Sequence, residues 1–187
     1  MPPDPFVRQF AAGLALEQEV SLDVLDVGCG TGRHSRYFAQ LGHNAVGFDN
    51  DLNAIQDAVR FARQANVTST NHYAVGSITN LPTAKLFDVV LVNEVLNYVP
   101  KVSSRNVLKE ADKLTKPGGY NLVSGYLLDS TVRGVANLAR CFEPGELEST
   151  YADWRIIDWE LIESPVSFSR NKEYINSRVK MLAQKIY

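Results

Sequence analysis

Residues 24–32, Val24-Leu25-Asp26-Val27-Gly28-Cys29-Gly30-Thr31-Gly32, place three glycines at alternate positions directly behind an apolar run. A helical pattern begins at once after them. Glycine there lets the backbone turn sharply and lets a ligand lie against main chain that a Cβ would cover. Seventeen residues beyond Gly32, a second apolar run, Ala45-Val46-Gly47-Phe48, ends in Asp49. A glycine-rich strand-to-helix turn, followed by an acid at the tip of the next strand, suits a doubly wound sheet that holds an adenosine-containing ligand. The acid then receives the ribose hydroxyls. An ordinary glycine-rich turn is the alternative, and Asp26, Asp49 and the flanking strands argue against it.

The rest of the chain alternates in the same way. Phe6, Phe10, Ala11 and Leu14 recur at helical spacing, predicting an amphipathic helix within residues 1–20. Strands are expected at about 22–27, 44–49 and 71–76, and a fully buried one at Phe87-Asp88-Val89-Val90-Leu91-Val92. The helix behind the loop turns Tyr37, Phe38 and Leu41 inward and closes at Gly42. Asp51 is placed to cap the next helix, on which Leu52, Ile55, Ala58, Val59 and Ala62 keep a 3.6 period. A helix over about 103–115 stops at Lys116-Pro117-Gly118-Gly119, and a fifth strand over 120–125 follows. Beyond a short helix near Glu146, Trp154–Ile162 and Tyr174–Ile186 read as two strands around a polar turn at Ser164–Lys172. The expected fold is α/β: a doubly wound, mostly parallel seven-stranded sheet with a C-terminal antiparallel hairpin. One domain is expected over 1–187, with the ligand-binding core at 21–127 and a substrate-side region at 128–187.

Net charge excludes some functions. At -2 it argues against a broad polyanion-binding face, so no nucleic-acid partner is expected. No apolar stretch approaches the roughly 18 residues of a membrane span. The start, Met1-Pro2-Pro3-Asp4-Pro5, lacks a signal-peptide pattern. Cys29 and Cys141 are too few for a disulfide framework, which fits a reduced, cytoplasmic protein. No membrane partner and no metal site are expected, and the oligomeric state is not legible.

The glycine spacing separates two ligands. Dinucleotide folds place the third glycine three positions after the second, where it allows close helix–sheet packing over a pyrophosphate. Arg33 occupies that position, and the third glycine comes one residue earlier. Gly28-x-Gly30-x-Gly32 resembles the first motif of class I S-adenosylmethionine (SAM) methyltransferases. More narrowly, the chain is similar to their tellurite-resistance (TehB-like) branch over nearly its whole length. The likeness is carried by Asp26–Arg33, Lys116–Val123, Phe142 with Gly145-Glu146-Leu147, Tyr151 with Trp154, and Met181-Leu182-Ala183. It implies SAM as cofactor, S-adenosylhomocysteine (SAH) as product, and a small molecule or metalloid oxyanion as methyl acceptor. Two departures stand out. Val75-Gly76-Ser77-Ile78 has no acid after the third strand, leaving Ser77 and the Ile78 amide to meet the adenine. The histidine–arginine pair that the resemblance implies between the last two strands is also missing, since the only histidines are His34, His43 and His72.

The cofactor reading assigns the Gly28, Cys29, Gly30 and Gly32 backbone to the methionine and ribose portions. It gives Asp26 to the ammonium, Asp49 to both ribose hydroxyls, and Asn50 to the adenine edge. Arg33 pairs with the methionine carboxylate or stands in solvent, and His34 packs behind the loop or lies at the surface. Asn93 and Glu94 follow the fourth strand, where one face opens to the cofactor, and Tyr98 could wall the pocket. Glu94 and Tyr98 are thus the catalytic candidates, with helix capping and packing as the alternative. Tyr126, Arg133 and Arg140 could receive an anionic acceptor, while Trp154 and Trp159 pack the hairpin. Two other functions remain open: a SAM-binding module without catalysis, and an NAD(P)-dependent oxidoreductase.

Overall fold

Pro5–Glu17 form α1, Asp23–Val27 β1, Arg33–Gln40 α2, Asn44–Asp49 β2, Leu52–Gln64 α3 and Asn71–Val75 β3. Phe87–Asn93 form β4, Lys101–Leu114 α4, Thr115–Tyr126 β5, Glu146–Thr150 α5, Trp154–Phe168 β6 and Lys172–Lys185 β7. One turn of 3-10 helix, Val95–Tyr98, follows β4. This computed structural model describes residues 1–17, 20–127, 142–168 and 172–187.

The strands make one sheet ordered β3-β2-β1-β4-β5-β7-β6. β1 to β5 run parallel, and β7 is antiparallel to both β5 and β6. This is the doubly wound sheet with a terminal hairpin that the alternation predicts. β4 is central, so Val89 to Val92 are sealed from solvent on both faces. One face packs on α4 and α5 through Val107, Leu108, Ala111, Leu147 and Tyr151. The other packs on α1 and α2 through Phe6, Val7, Ala11, Leu14 and Phe38. Asp51 caps α3 as predicted, accepting from the Asn53 and Ala54 amides. Ile55, Ala58 and Ala62 face inward, but Leu52 at the first turn is 56% exposed.

Two boundaries differ from expectation. Pairing of β5 with β4 begins at Thr115 instead of residue 120, because Thr115 sits against Phe87 before the register shifts to Tyr120 on Val89. Lys116-Pro117-Gly118-Gly119 is therefore a bulge inside a strand. Gly118 has φ +78°, and a Cβ on Gly119 would press on the Asp88 and Lys116 carbonyls. Lys116 from the bulge ion-pairs with Asp88 and Asp23. The hairpin is also longer than expected: pairing continues through Ser164 and Pro165 to Phe168 opposite Lys172. Cross-strand bonding overrides the turn propensity of that polar stretch.

Candidate active site

The carboxyl ends of β1, β2 and β4 open onto a cavity of about 490 Å³ bordered by the glycine loop, Asp49, Asn50, Ile78 and Asn93–Val95. A larger hollow of about 630 Å³ lies elsewhere, between α4, α5 and the end of β7, and no residue of the glycine loop or of the parallel strands β1–β5 lines it. The smaller cavity is at the switch point, where β1 is flanked by β2 on one side and β4 on the other, and ligands of open α/β sheets bind there.

The three glycines do three different jobs. All have positive φ, at +68°, +53° and +70° for Gly28, Gly30 and Gly32. A Cβ on Gly28 would overlap the Val95 side chain, although its backbone still borders the cavity. A Cβ on Gly30 would meet nothing within 4 Å, so this is the stretch of bare main chain that faces open space. A Cβ on Gly32 would strike the Tyr73 ring, and the Tyr73 hydroxyl donates to the Gly32 carbonyl at 3.2 Å. Gly32 therefore packs the loop onto β3 and does not border the cavity, correcting the expectation of a ligand contact. Cys29 lies behind the loop, with its Sγ where a Cβ on Gly47 would be. Burial first, then the Asp26 and Asp49 charges, push its thiol far up, so it is a neutral packing group.

Asp49 is fixed from two sides. Its Oδ2 accepts from the Gly30 amide at 2.8 Å and its Oδ1 from the Asp51 amide at 2.9 Å. Among the described residues no lysine or arginine pairs with it, so both oxygens keep acceptor capacity for a ligand. Asp26 is 3% exposed, borders the cavity, and uses Oδ2 to accept from the Ser35 amide in the first turn of α2. Asn50 and Ile78 border the cavity as expected. Ser77 does not: its hydroxyl is shared with Thr79 at 3.0 Å.

His34 is buried, so the packed alternative holds. Arg33 Nε donates to its Nε2 at 2.7 Å, and Asn93 Nδ2 lies 3.5 Å from the same atom. With Nε2 accepting, the proton of the neutral ring sits on Nδ1, which has no partner among the described residues. Burial pushes the His34 pKa down, against the nearby Asp26. Asn93 is held in turn by Ser124, whose hydroxyl donates to Oδ1 at 2.8 Å.

Both catalytic candidates border the cavity. Glu94 borders the cavity, but Arg178 donates to its Oε1 at 2.7 Å and Arg33 stands 3.9 Å from Oε2. Its carboxylate is engaged and is not a free base. Tyr98 is 76% exposed and borders the cavity at its rim, as expected. The Tyr126 amide donates to Asn97 at the end of β5. Arg133, Arg140 and Cys141 lie outside the described residues. Trp154 packs edge-on against Tyr151, whereas Trp159 is 40% exposed on the outer strand β6. Sequence reasoning passed over Val95, Tyr73, Ser124 and Arg178. Only Tyr73, an aromatic on the strand beside the glycine loop, left any signal.

The donor set fits SAM. Three carboxylates (Asp26, Asp49, Glu94) and one arginine border the cavity. That balance suits a sulfonium and an ammonium and opposes a pyrophosphate. Fold and crevice together define a nucleoside-binding α/β domain with the class I methyltransferase strand order. Residues 24–119 match the family described as methyltransferase domain, and the chain belongs to it. It is 25% identical over 136 residues to a probable S-adenosyl-L-methionine-dependent methyltransferase TehB from Haemophilus influenzae, covering 73% of this chain and 47% of that protein. A ubiquinone biosynthesis O-methyltransferase from Psychrobacter arcticus is 30% identical over 148 residues, covering 70% of this chain and 57% of that protein. The chain thus spans about half the length of the curated relatives it matches. The crystal structure of Haemophilus influenzae TehB superposes with a TM-score of 0.80 at 22% identity, over 95% of this chain and 62% of that one. Magnesium protoporphyrin IX methyltransferase from Synechocystis, solved with bound SAH, superposes at 0.73 and 16% identity, over 96% and 82%. Both establish likeness of fold.

Proposed function

We propose that this chain is a SAM-dependent methyltransferase acting on a small-molecule acceptor. The carrying observation is Asp49, oriented by two backbone amides beside the bare Gly30 main chain. In this reading Asp49 receives the ribose hydroxyls and the Gly28–Gly30 backbone lies along the ribose and methionine. Asp26 supplies negative charge to the ammonium, while Arg33 and the first turn of α2 favour the carboxylate. Asn50 and Ile78 flank the adenine. When bound, SAM supplies a methyl carbon already activated by its sulfonium for in-line displacement. The chain's own task is then to align the acceptor and exclude water. The names of two relatives, a malonyl-[acyl-carrier protein] O-methyltransferase and a ubiquinone biosynthesis O-methyltransferase, support an oxygen nucleophile.

The engagement of Glu94 by two arginines favours a second reading: SAM binding without catalysis. Incubation with SAM and a panel of phenols, thiols, amines and oxyanions separates the two. SAH accumulating with any acceptor supports the enzyme, and tight SAH binding without turnover supports the module. Failure to bind SAH overturns both.

A further inference from the structure

Glu94 is one of two non-glycine residues with positive φ among the described residues, at +60°. A left-handed backbone is costly for a side chain and persists where its surroundings enforce it. Here the Glu94 amide donates to the Ser124 carbonyl and hydroxyl, which fixes the turn at the carboxyl end of β4. The turn aims the carboxylate between two guanidiniums that are not equivalent. Arg33 borders the cavity at 3.9 Å from Oε2. Arg178 comes from β7, opposite Tyr126 at the end of β5, and binds Oε1 at 2.7 Å. Two positive charges thus share one negative charge. The Arg178 Nε is buried with no acceptor among the described residues, so its donor set is incomplete. All three side chains are 28–31% exposed, so a small anion can reach them from solvent.

We propose that Arg178 is the anion-recognition residue for the methyl acceptor and that Glu94 is its place-holder. An oxyanion on the acceptor, whether an organic carboxylate or an inorganic oxyanion, takes Arg178 from Glu94. Glu94 then falls back on Arg33, already beside its other oxygen, and shares it with the methionine carboxylate. Arg178 lies at the carboxyl edge of the sheet, bonded to Glu94, which borders the cavity, and ligands of such sheets are met at that edge. The inference rests on the methyltransferase reading and names its acceptor class: anionic.

The test uses the whole chain saturated with SAH, whose own binding is measured first. Calorimetry at constant ionic strength then compares 4-hydroxybenzoate, its neutral analogue 4-hydroxybenzyl alcohol, and selenite as the inorganic oxyanion. At least one anion is expected to bind about tenfold or more tighter than the neutral analogue, and which one identifies the source. Arg178→Gln should abolish that preference, and Glu94→Gln should increase it by removing the internal competitor. Opposite signs are the diagnostic, because a merely structural ion pair would weaken binding alike from either side. Should Arg178→Gln fail to fold, Glu94→Gln carries the test alone. Equal binding of charged and neutral probes, absence of binding by both, or loss of anion affinity in Glu94→Gln overturns the proposal. Failure of SAH to bind would instead refute the underlying function.

Discussion

Asp49 and Gly30 carry the ligand reading at the scale of single residues, and each makes a separate prediction. Asp49→Ala removes a charged acceptor from buried hydroxyl donors, at about 2–4 kcal/mol, or roughly 30- to 700-fold in SAH affinity. Calorimetry showing unchanged affinity would refute the assignment. Gly30→Val puts side-chain atoms into the open crevice and strains a backbone at φ +53°. It should weaken SAH binding more than it lowers the melting temperature. The raised Cys29 thiol predicts slow alkylation of Cys29 by iodoacetamide at pH 8 in the native protein and fast alkylation in guanidinium, read on the Cys29 peptide apart from that of Cys141. Fast native labelling would contradict its burial. Asp49 was legible in the sequence because an acid ending an apolar run has few structural uses. The place of Glu94 at the end of the fourth strand is legible in the sequence, but its ion pair is not, since its partner Arg178 is 84 residues away. No local pattern announces such a pairing.

Elements hold these residues in place, and the N-terminal helix shows how. Asp4 caps α1 by accepting from the Phe6 amide, and its Oδ1 also receives Lys180 from β7 at 2.8 Å. The Lys180 side chain is 6% exposed and that of Asp4 12%, so this ion pair is shielded from water. Burial alone would raise the Asp4 carboxyl; hydrogen bonds from Lys180 and the Phe6 amide outweigh it and hold the carboxyl below its usual range. Lys180→Ala would leave Asp4 uncompensated and cost about 3 kcal/mol. That is roughly 6–12 °C in Tm for a domain of this size. Asp4→Asn/Lys180→Met should recover most of the loss, and additive losses in calorimetric scans would show that the two do not interact. Helices and parallel strands were legible because their apolar periods are local. The bulge at Lys116–Gly119 and the extension of β6 and β7 were not, because both depend on a neighbouring strand.

The whole molecule responds to pH through its buried histidines. Burial pushes both His34 and His43 below the usual histidine value. In the unfolded chain each takes a proton near 6.5, but in the folded protein only at lower pH. Between those values the unfolded state binds more protons, so stability rises with pH, is complete above about 6.5 and falls as the solution is acidified. The melting temperature should therefore drop between pH 7 and pH 5, and His43→Gln should flatten the drop. A profile flat over that range would contradict neutral burial. The sheet order and the site at its switch point were readable from the alternation of strands and helices. Charge pairing across the carboxyl edge, which ties β4 to β7, emerged only from the assembled fold. The most direct check of the central claim is calorimetric titration of one protein sample with SAH and, separately, with NADH. The account predicts saturable SAH binding that Asp49→Ala abolishes or severely weakens, with no heat from NADH. Tight NADH binding to an SAH-blind protein would contradict it.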